Sequence, residues 1–389
     1  MILVLFTAFF LTYFMPVLVI KGITLSDIFL ILLLFYLLIK TKKINYFQKK
    51  VILIFTIFLI LYIFESILHI SFSLYNFSEL FLVADKVAFI YFYVIIIIFI
   101  LLINQIDVNK VTKSIQFSII VNAIIVPYIY LFMHLGSYLK LTGLFVKPNQ
   151  LAFFLILSPI ILIIISYIKN NSFKSIYSIN LFVFLLYIPM LATASKSGLI
   201  TLVLIQLVIF IYAYNYMHKL KKSVFISFFI MAIISFNPLT FESSVKNLIE
   251  YFPQFSRVAN FLFAEDIETQ DTFRIINNRE GKEIFFNNPL IGIGFGGDVF
   301  HTSTGHELHN TYIRLLACLG VLGTIMFFSL NIYFLYLSKK IIKSNIFIYL
   351  FSIIYIYGIY HDIFTSRYYY ILFASLIYFI LIKQRKVFR

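Results

Sequence analysis

DTFRIINNREGKEIFFNNPLIGIGFGGDVFHTSTGHELHNTYIRLLACLGVLG, residues 271–323, is the stretch on which the reading of the chain turns. It is the one long region that is neither continuously apolar nor a short charged turn. The 389-residue chain has 16 Asp and Glu, and 10 of them fall between Glu242 and Glu307. Three of its seven histidines, His301, His306 and His309, lie within nine residues. An Asn-Pro step and the glycines Gly292, Gly294, Gly296 and Gly297 separate Arg274 and Arg279 from these histidines. Titratable groups concentrated in one segment of a chain that elsewhere avoids them mark a reactive site carried by an apolar scaffold.

The scaffold follows from composition. At 62% hydrophobic and 12% charged, with a mean hydropathy of +1.00, the chain reads as an integral membrane protein. Apolar runs predict an all-α polytopic protein of about twelve transmembrane helices: 2–20, 24–39, 51–70, 87–103, 115–135, 150–168, 176–192, 198–217, 223–236, 308–337, 345–360 and 368–382. Residues 1–236 thus carry nine helices, residues 237–307 one long external loop with part of the active site, and residues 308–389 three more helices. The run at 2–20 lacks a basic leader and reads as a first span rather than a cleaved signal. With no Trp, tyrosines must serve at the lipid interface, the triplet Tyr368, Tyr369 and Tyr370 among them. Short loops of one parity, with the tail after residue 382, hold 19 Lys and Arg; those of the other parity hold 6. The positive-inside rule then places both termini in the cytoplasm and the long loop outside. The net charge of +15 suits an anionic leaflet. Because its cations are scattered over many short loops, nucleic acid is a poor partner. Cys318, alone in an apolar helix, excludes an internal disulfide and reads as packing.

A site outside the cell has no cytosolic nucleotides to draw on. It requires an activated substrate already carried across the membrane, and a polyprenyl-diphosphate-linked sugar is that class. Breaking the sugar–diphosphate bond develops negative charge, which cations must meet. Arg274, Arg279 and Arg314 offer bidentate forks, and Lys196 and Lys147 point charges. The attacking sugar hydroxyl needs a base near neutral pKa. His309 is the first choice, with Glu307 orienting or replacing it and His301 and His306 as lesser candidates. If a helix starts by residue 306, His306, Glu307, His309, Asn310 and Arg314 share one polar face. The rival is a metal site, but HELH at 306–309 spaces its histidines i, i+3, unlike the i, i+4 of HExxH; no metal and no cofactor are expected. The glycine run reads as tight backbone turning, with phosphate contact through its N–H groups as an alternative. Glu65 and His69 read as a structural pair, and His361, Asp362 and Arg367 as an ordinary external turn.

The same stretch resembles the signature region of the bacterial O-antigen ligase and polymerase family. Matching elements are Arg274, then Pro289-Leu290-Ile291-Gly292-Ile293-Gly294, His309-Asn310-Thr311-Tyr312, and Gly320-Val321-Leu322-Gly323. Upstream, Gly143-Leu144-Phe145 with Pro148-Asn149-Gln150-Leu151-Ala152 is similar to a second family turn. Ser195-Lys196-Ser197-Gly198 is similar to a Ser-Arg-Ser-Gly step, with Lys for Arg. The resemblance spans roughly residues 140–325. It implies a metal-independent membrane glycosyltransferase of GT-C-like architecture acting on an undecaprenyl-diphosphate-linked oligosaccharide. It also implies Asn310 in substrate binding and a chain-length regulator as a partner. Polymerase and ligase share these motifs. The richness in Ile, Phe, Lys and Asn, as in an AT-rich polysaccharide gene cluster, favours the polymerase. A lipid flippase is the reading from another class, but it would place charge near the midplane at broken helices in both halves.

Overall fold

The computed structural model describes residues 1–13, 18–20, 23–41, 44–71, 84–133, 148–168, 174–193, 195–214, 272–294, 297–303, 305–342, 344–363 and 366–387. Helices dominate: α1 (Ile2–Tyr13), α2 (Leu25–Lys40), α3 (Tyr46–Ser71), α4 (Ala84–Gln105), α5 (Val108–Met133, with a π turn at Val121–Ile125), α6 (Pro148–Ile168), α7 (Lys174–Ala192), α8 (Lys196–Tyr214), α9 (Thr272–Asn287), α10 (Asp298–His301), α11 (Thr311–Ile342), α12 (Ile346–Tyr357) and α13 (Arg367–Val387). Two short antiparallel strands, β1 (Leu18–Ile20) and β2 (Ile23–Thr24), follow α1. The expected first span, 2–20, is helical over Ile2–Tyr13 and carries β1 at Leu18–Ile20.

Among the described residues, three helices are long and apolar enough to cross a membrane: Val108–Met133, Pro148–Ile168 and Thr311–Ile341. They fall at the expected spans 115–135, 150–168 and 308–337, and shorter apolar helices lie at Ile2–Thr12, Tyr93–Gln105, Ser178–Ala192, Lys196–Tyr212, Ile346–Tyr357 and Tyr368–Gln384. The expected run at 223–236 lies outside the described residues, as do the side chains of Glu65 and His69.

The chain forms two compact units, one mainly of residues 3–31 and 108–267, the other of 32–107 and 268–389. In the first, α6 packs against α7 and α8 and is apolar on every side, as a fully enclosed helix must be. Pro148 is its first residue, where a missing N–H costs nothing. Lys196 opens α8, whose Ser195 hydroxyl accepts the Gly198 N–H at 3.2 Å. Lys147 lies outside the described residues.

In the second unit, α13 packs against α4 and α11. Tyr368, Tyr369 and Tyr370 are at most 2% exposed, and the Tyr369 hydroxyl donates to Asn331 Oδ1. The triplet expected at the lipid interface is thus interior, because Asn331 on α11 supplies a buried acceptor. Cys318 is buried, as expected of a packing residue.

The part of the expected loop nearest the site is helical. Asn277, Gly281 and Ile284 make the buried face of α9 against α11. A Cβ at Gly281 would lie 2.5 Å from Ile313 and 2.9 Å from Leu308, so glycine sets how closely the helices approach. Beyond α9, residues 289–294 insert their backbone into a break in α11. Gly320 has φ 60 and ψ −168, a conformation open essentially to glycine. The break frees carbonyls of Ala317 and Cys318, which accept the N–H groups of Ile293 (2.9 Å) and Gly294 (2.8 Å). In return the N–H groups of Val321 and Leu322 donate to the carbonyls of Pro289 (2.9 Å) and Leu290 (3.2 Å). Cβ atoms at Gly292 or Gly320 would fall 2.3–2.6 Å from the opposing backbone. The two glycine motifs, far apart in sequence, are one joint.

Candidate functional site

The His309-Asn310-Thr311-Tyr312 motif begins α11, and three of its four residues build the mouth of the helix. Asn310 is the cap: its Oδ1 accepts the N–H groups of Tyr312 (3.0 Å) and Ile313 (3.2 Å). Thr311 binds the turn after α12, its N–H donating to the Gly358 carbonyl (2.9 Å). Its hydroxyl donates to the His361 carbonyl (2.7 Å) and accepts the Ile363 N–H (2.9 Å). The Tyr312 hydroxyl donates to the Tyr355 carbonyl at 2.8 Å. The motif therefore latches residues 355–363 to the start of α11. His309 is left exposed, its ring without a hydrogen bond among the described residues.

This corrects the helical-face expectation. The helix begins at Thr311, not by residue 306, and His306, Glu307 and His309 reach the mouth from a non-helical segment. The Asp298 carboxylate holds that segment by accepting the Leu308 N–H at 2.9 Å. Its far end is tied to α9, where Glu280 accepts the Ser303 N–H at 3.1 Å and contacts the Ser303 hydroxyl. His301 Nδ1 lies 3.0 Å from the Gly297 carbonyl, and the His306 carbonyl accepts the Thr302 hydroxyl at 2.9 Å.

Arg314, one turn into α11, is 1% exposed and lies among three carboxylates. Its Nε and a terminal nitrogen grip Asp298 at 3.0 and 3.3 Å. Its other terminal nitrogen reaches Asp362 at 2.6 Å and Glu307 at 3.2 Å. Asp298 is wholly buried, so the fork-to-fork pair satisfies two groups that could not be left alone there. Arg314 thus draws together residues from α10, the loop before α11 and the turn after α12.

Arg274 differs. It stands at the start of α9 on the side continued by Asn277, Gly281 and Ile284, and it makes no hydrogen bond or ion pair among the described residues. Its charge is felt by two imidazoles. Partial enclosure, then the Arg274 guanidinium, hold His309 below the ordinary histidine value; Glu307 and Asp362 oppose this, and Arg314 reinforces it. Burial, then Arg274 and His309, hold His361 down to about 3. His361 stacks on Tyr357 with ring centroids 4.5 Å apart. A cation with no acid partner beside a neutral imidazole can take an anion and a proton at neighbouring positions.

Of the expected site residues, the fold brings together His309, Glu307, Asn310, Arg274 and Arg314. Arg279 lies 140° around α9 from Arg274, with an 83% exposed side chain paired to Glu283 at 3.2 Å. The residues overlooked were Asp298, His361 and Asp362; the last two form no ordinary turn, being fixed through Thr311 and Arg314. The N–H groups of Gly292, Gly294 and Gly297 all donate to protein carbonyls, which removes them as phosphate donors. Among the described residues no group of three His, Cys, Asp or Glu could hold a metal ion.

Residues 181–328 match the family model described as O-antigen ligase, a segment running from α7 into the first half of α11. Over that segment the chain is similar to the O-antigen ligase family. A comparison with curated proteins gave no match.

Proposed function

We propose that the chain is a surface-polysaccharide polymerase of the inner membrane. It transfers a growing glycan from undecaprenyl diphosphate to a hydroxyl on another lipid-linked repeat unit at the external face. The bond from the anomeric carbon to the diphosphate oxygen breaks, and one to the acceptor oxygen forms. The acceptor proton passes to His309, and undecaprenyl diphosphate leaves with the electron pair. Arg274 meets the charge growing on that diphosphate. Asn310 keeps its side-chain N–H groups for substrate, since its oxygen is committed to the cap. Arg314 keeps Glu307 and Asp362 in place around the base. The observation that carries this reading is the pairing of Arg274, without an acid partner among the described residues, with the unbonded His309.

The family description favours a second reading, a ligase that moves finished glycan onto lipid A-core by the same bond exchange. The test is a gel of surface polysaccharide and an analysis of lipid-linked intermediates from a strain lacking this gene, complemented with wild type, Arg274→Ala or His309→Ala. Loss of the ladder with single repeat units retained supports the polymerase. Long glycan stranded on the carrier supports the ligase. Repeat units trapped on the cytoplasmic face would mean a flippase and overturn both. Normal glycan from either variant at normal expression would remove the site assignment.

A further inference from the structure

The outward side of α9 is unused by this chemistry. Ile275, Arg279, Lys282 and Phe286 fall at i, i+4, i+7 and i+11, one stripe opposite the buried face. All are exposed, Ile275 at 65% and Phe286 at 75%, and Leu290 follows at 65%. Large apolar side chains this exposed on a polar segment mark a contact surface.

The contacts of α9 indicate what covers it. Gly281 lies against Leu308 and Ile313, and Pro289 and Leu290 bond to Val321 and Leu322. Ile293 and Gly294 then turn back to Ala317 and Cys318, and Asp298 returns to Leu308. Residues 272–294 thus descend beside α11 to the break at Gly320, and Asp298 lies back beside Leu308. The break lies roughly 14 Å along the helix from Thr311, at 1.5 Å per residue. α11 is long and apolar enough to cross a membrane, and its Leu322, Ile325, Ile332 and Tyr336 form an exposed stripe beginning beside Leu290. Re-entrant backbone is tolerated at that depth only where protein satisfies its polar groups, and the joint at Gly320 does this for Pro289, Leu290, Ile293 and Gly294.

We propose that α9 and the 289–294 turn form a re-entrant wedge in the outer leaflet. Phe286 and Leu290 enter the acyl boundary, while Arg279 and Lys282, near the level of Ile313, engage the phosphates of anionic phospholipids. Glu283 offsets one of these two cations through its exposed pair with Arg279 at 3.2 Å, so Lys282 carries the net charge of the stripe while the Arg279 fork can still share its N–H groups with a phosphate. Long basic side chains with apolar neighbours suit that boundary. This surface is independent of the reaction assigned above.

The chain has no Trp and 28 Tyr, so Phe286→Trp and Leu290→Trp each create a single indole at an exposed position, read by excitation at the red edge where tyrosine does not absorb, and His306→Trp gives a reference in the exposed loop. In nanodiscs of phosphatidylethanolamine and phosphatidylglycerol, doxyl-labelled lipid is expected to quench the first two several-fold more than aqueous iodide does, with the order reversed at residue 306. Raising the phosphatidylglycerol fraction deepens the lipid quenching at residue 286, and Arg279→Glu with Lys282→Glu abolishes that dependence. Equal iodide quenching at all three positions overturns the wedge. Protection from both quenchers also overturns it, assigning the stripe to a protein partner or a second copy.

Discussion

Arg314 and Arg274 lie in the same compact unit and are held in opposite ways. Arg314 is buried and bound by Asp298, Glu307 and Asp362; Arg274 has no acid partner among the described residues and instead biases two histidines. An arginine enclosed by carboxylates has its electrostatic work done within the protein, and an incoming diphosphate would meet its acids first. An arginine without them retains its charge for a ligand. Both were expected on the diphosphate; the fold separates an organising cation from an available one.

The strongest way to break this comparison is to delete the organising cation. Arg314→Ala leaves Asp298 buried and unpaired and is expected to cost about 3–5 kcal/mol, read as a large fall in melting temperature in detergent. An unchanged melting temperature would mean that Arg314 is not what joins α10, the loop and the turn. Deleting the available cation should do the reverse. Arg274→Ala is expected to change stability by less than ~0.5 kcal/mol while lowering transfer on the order of 10²–10³-fold. His309→Ala should lower it by about 10²–10⁴-fold. Both are read with purified protein and lipid-linked donor.

A middle-sized effect separates capping from binding at Asn310. Asn310→Ala is expected to cost about 1 kcal/mol through the lost cap. Asn310→Asp keeps an acceptor for the two N–H groups but loses the side-chain donor. Retained stability with impaired transfer in the Asp variant would assign the donor to substrate; full activity would reduce Asn310 to architecture.

The pH profile sharpens the role of Glu307. A base must be neutral to accept the acceptor proton, so activity is lost as pH falls through the His309 pKa. That pKa is lowered from 6.5, so the acid limb should lie below 6.5. Glu307 raises it, so Glu307→Gln should move the limb to lower pH while retaining transfer. Abolished activity would make Glu307 the base. His361, neutral down to about 3, should not titrate in this range.

Much of this arrangement was legible in the sequence because it is local or periodic. Among the described residues, apolar runs gave most helix positions, except that the first run gave way to a strand by Leu18 and that the polar α9 showed no long apolar run. The order of Arg274, the Gly-x-Gly turn and His309 pointed to the segment that carries the candidate site. The unseen partners arise from tertiary folding: Asp298 and Asp362 lie 16 and 48 residues from Arg314, and no spacing rule links residues on separate elements. The glycines of residues 292 and 320 were visible as motifs but not as one joint, since their fit depends on a break that apolar periodicity passes over.

Arg279 carries the smallest expected effect and tests the comparison from outside. Its pair with Glu283 is an exposed i, i+4 contact, worth about 0.3–0.5 kcal/mol. It lies 140° around α9 from Arg274 and so cannot follow it toward His309 without rotating a helix whose other side is locked by Gly281 against Ile313. Arg279→Ala should therefore leave both melting temperature and transfer near wild type, whereas Arg274→Ala five residues earlier removes transfer. Were the two to lose transfer equally, the diphosphate would have to span both faces of α9. The distinction would then lie not between organising and available cations but between those inside and outside the α9–α11 contact, and Arg279 would return to the site from which its geometry now removes it.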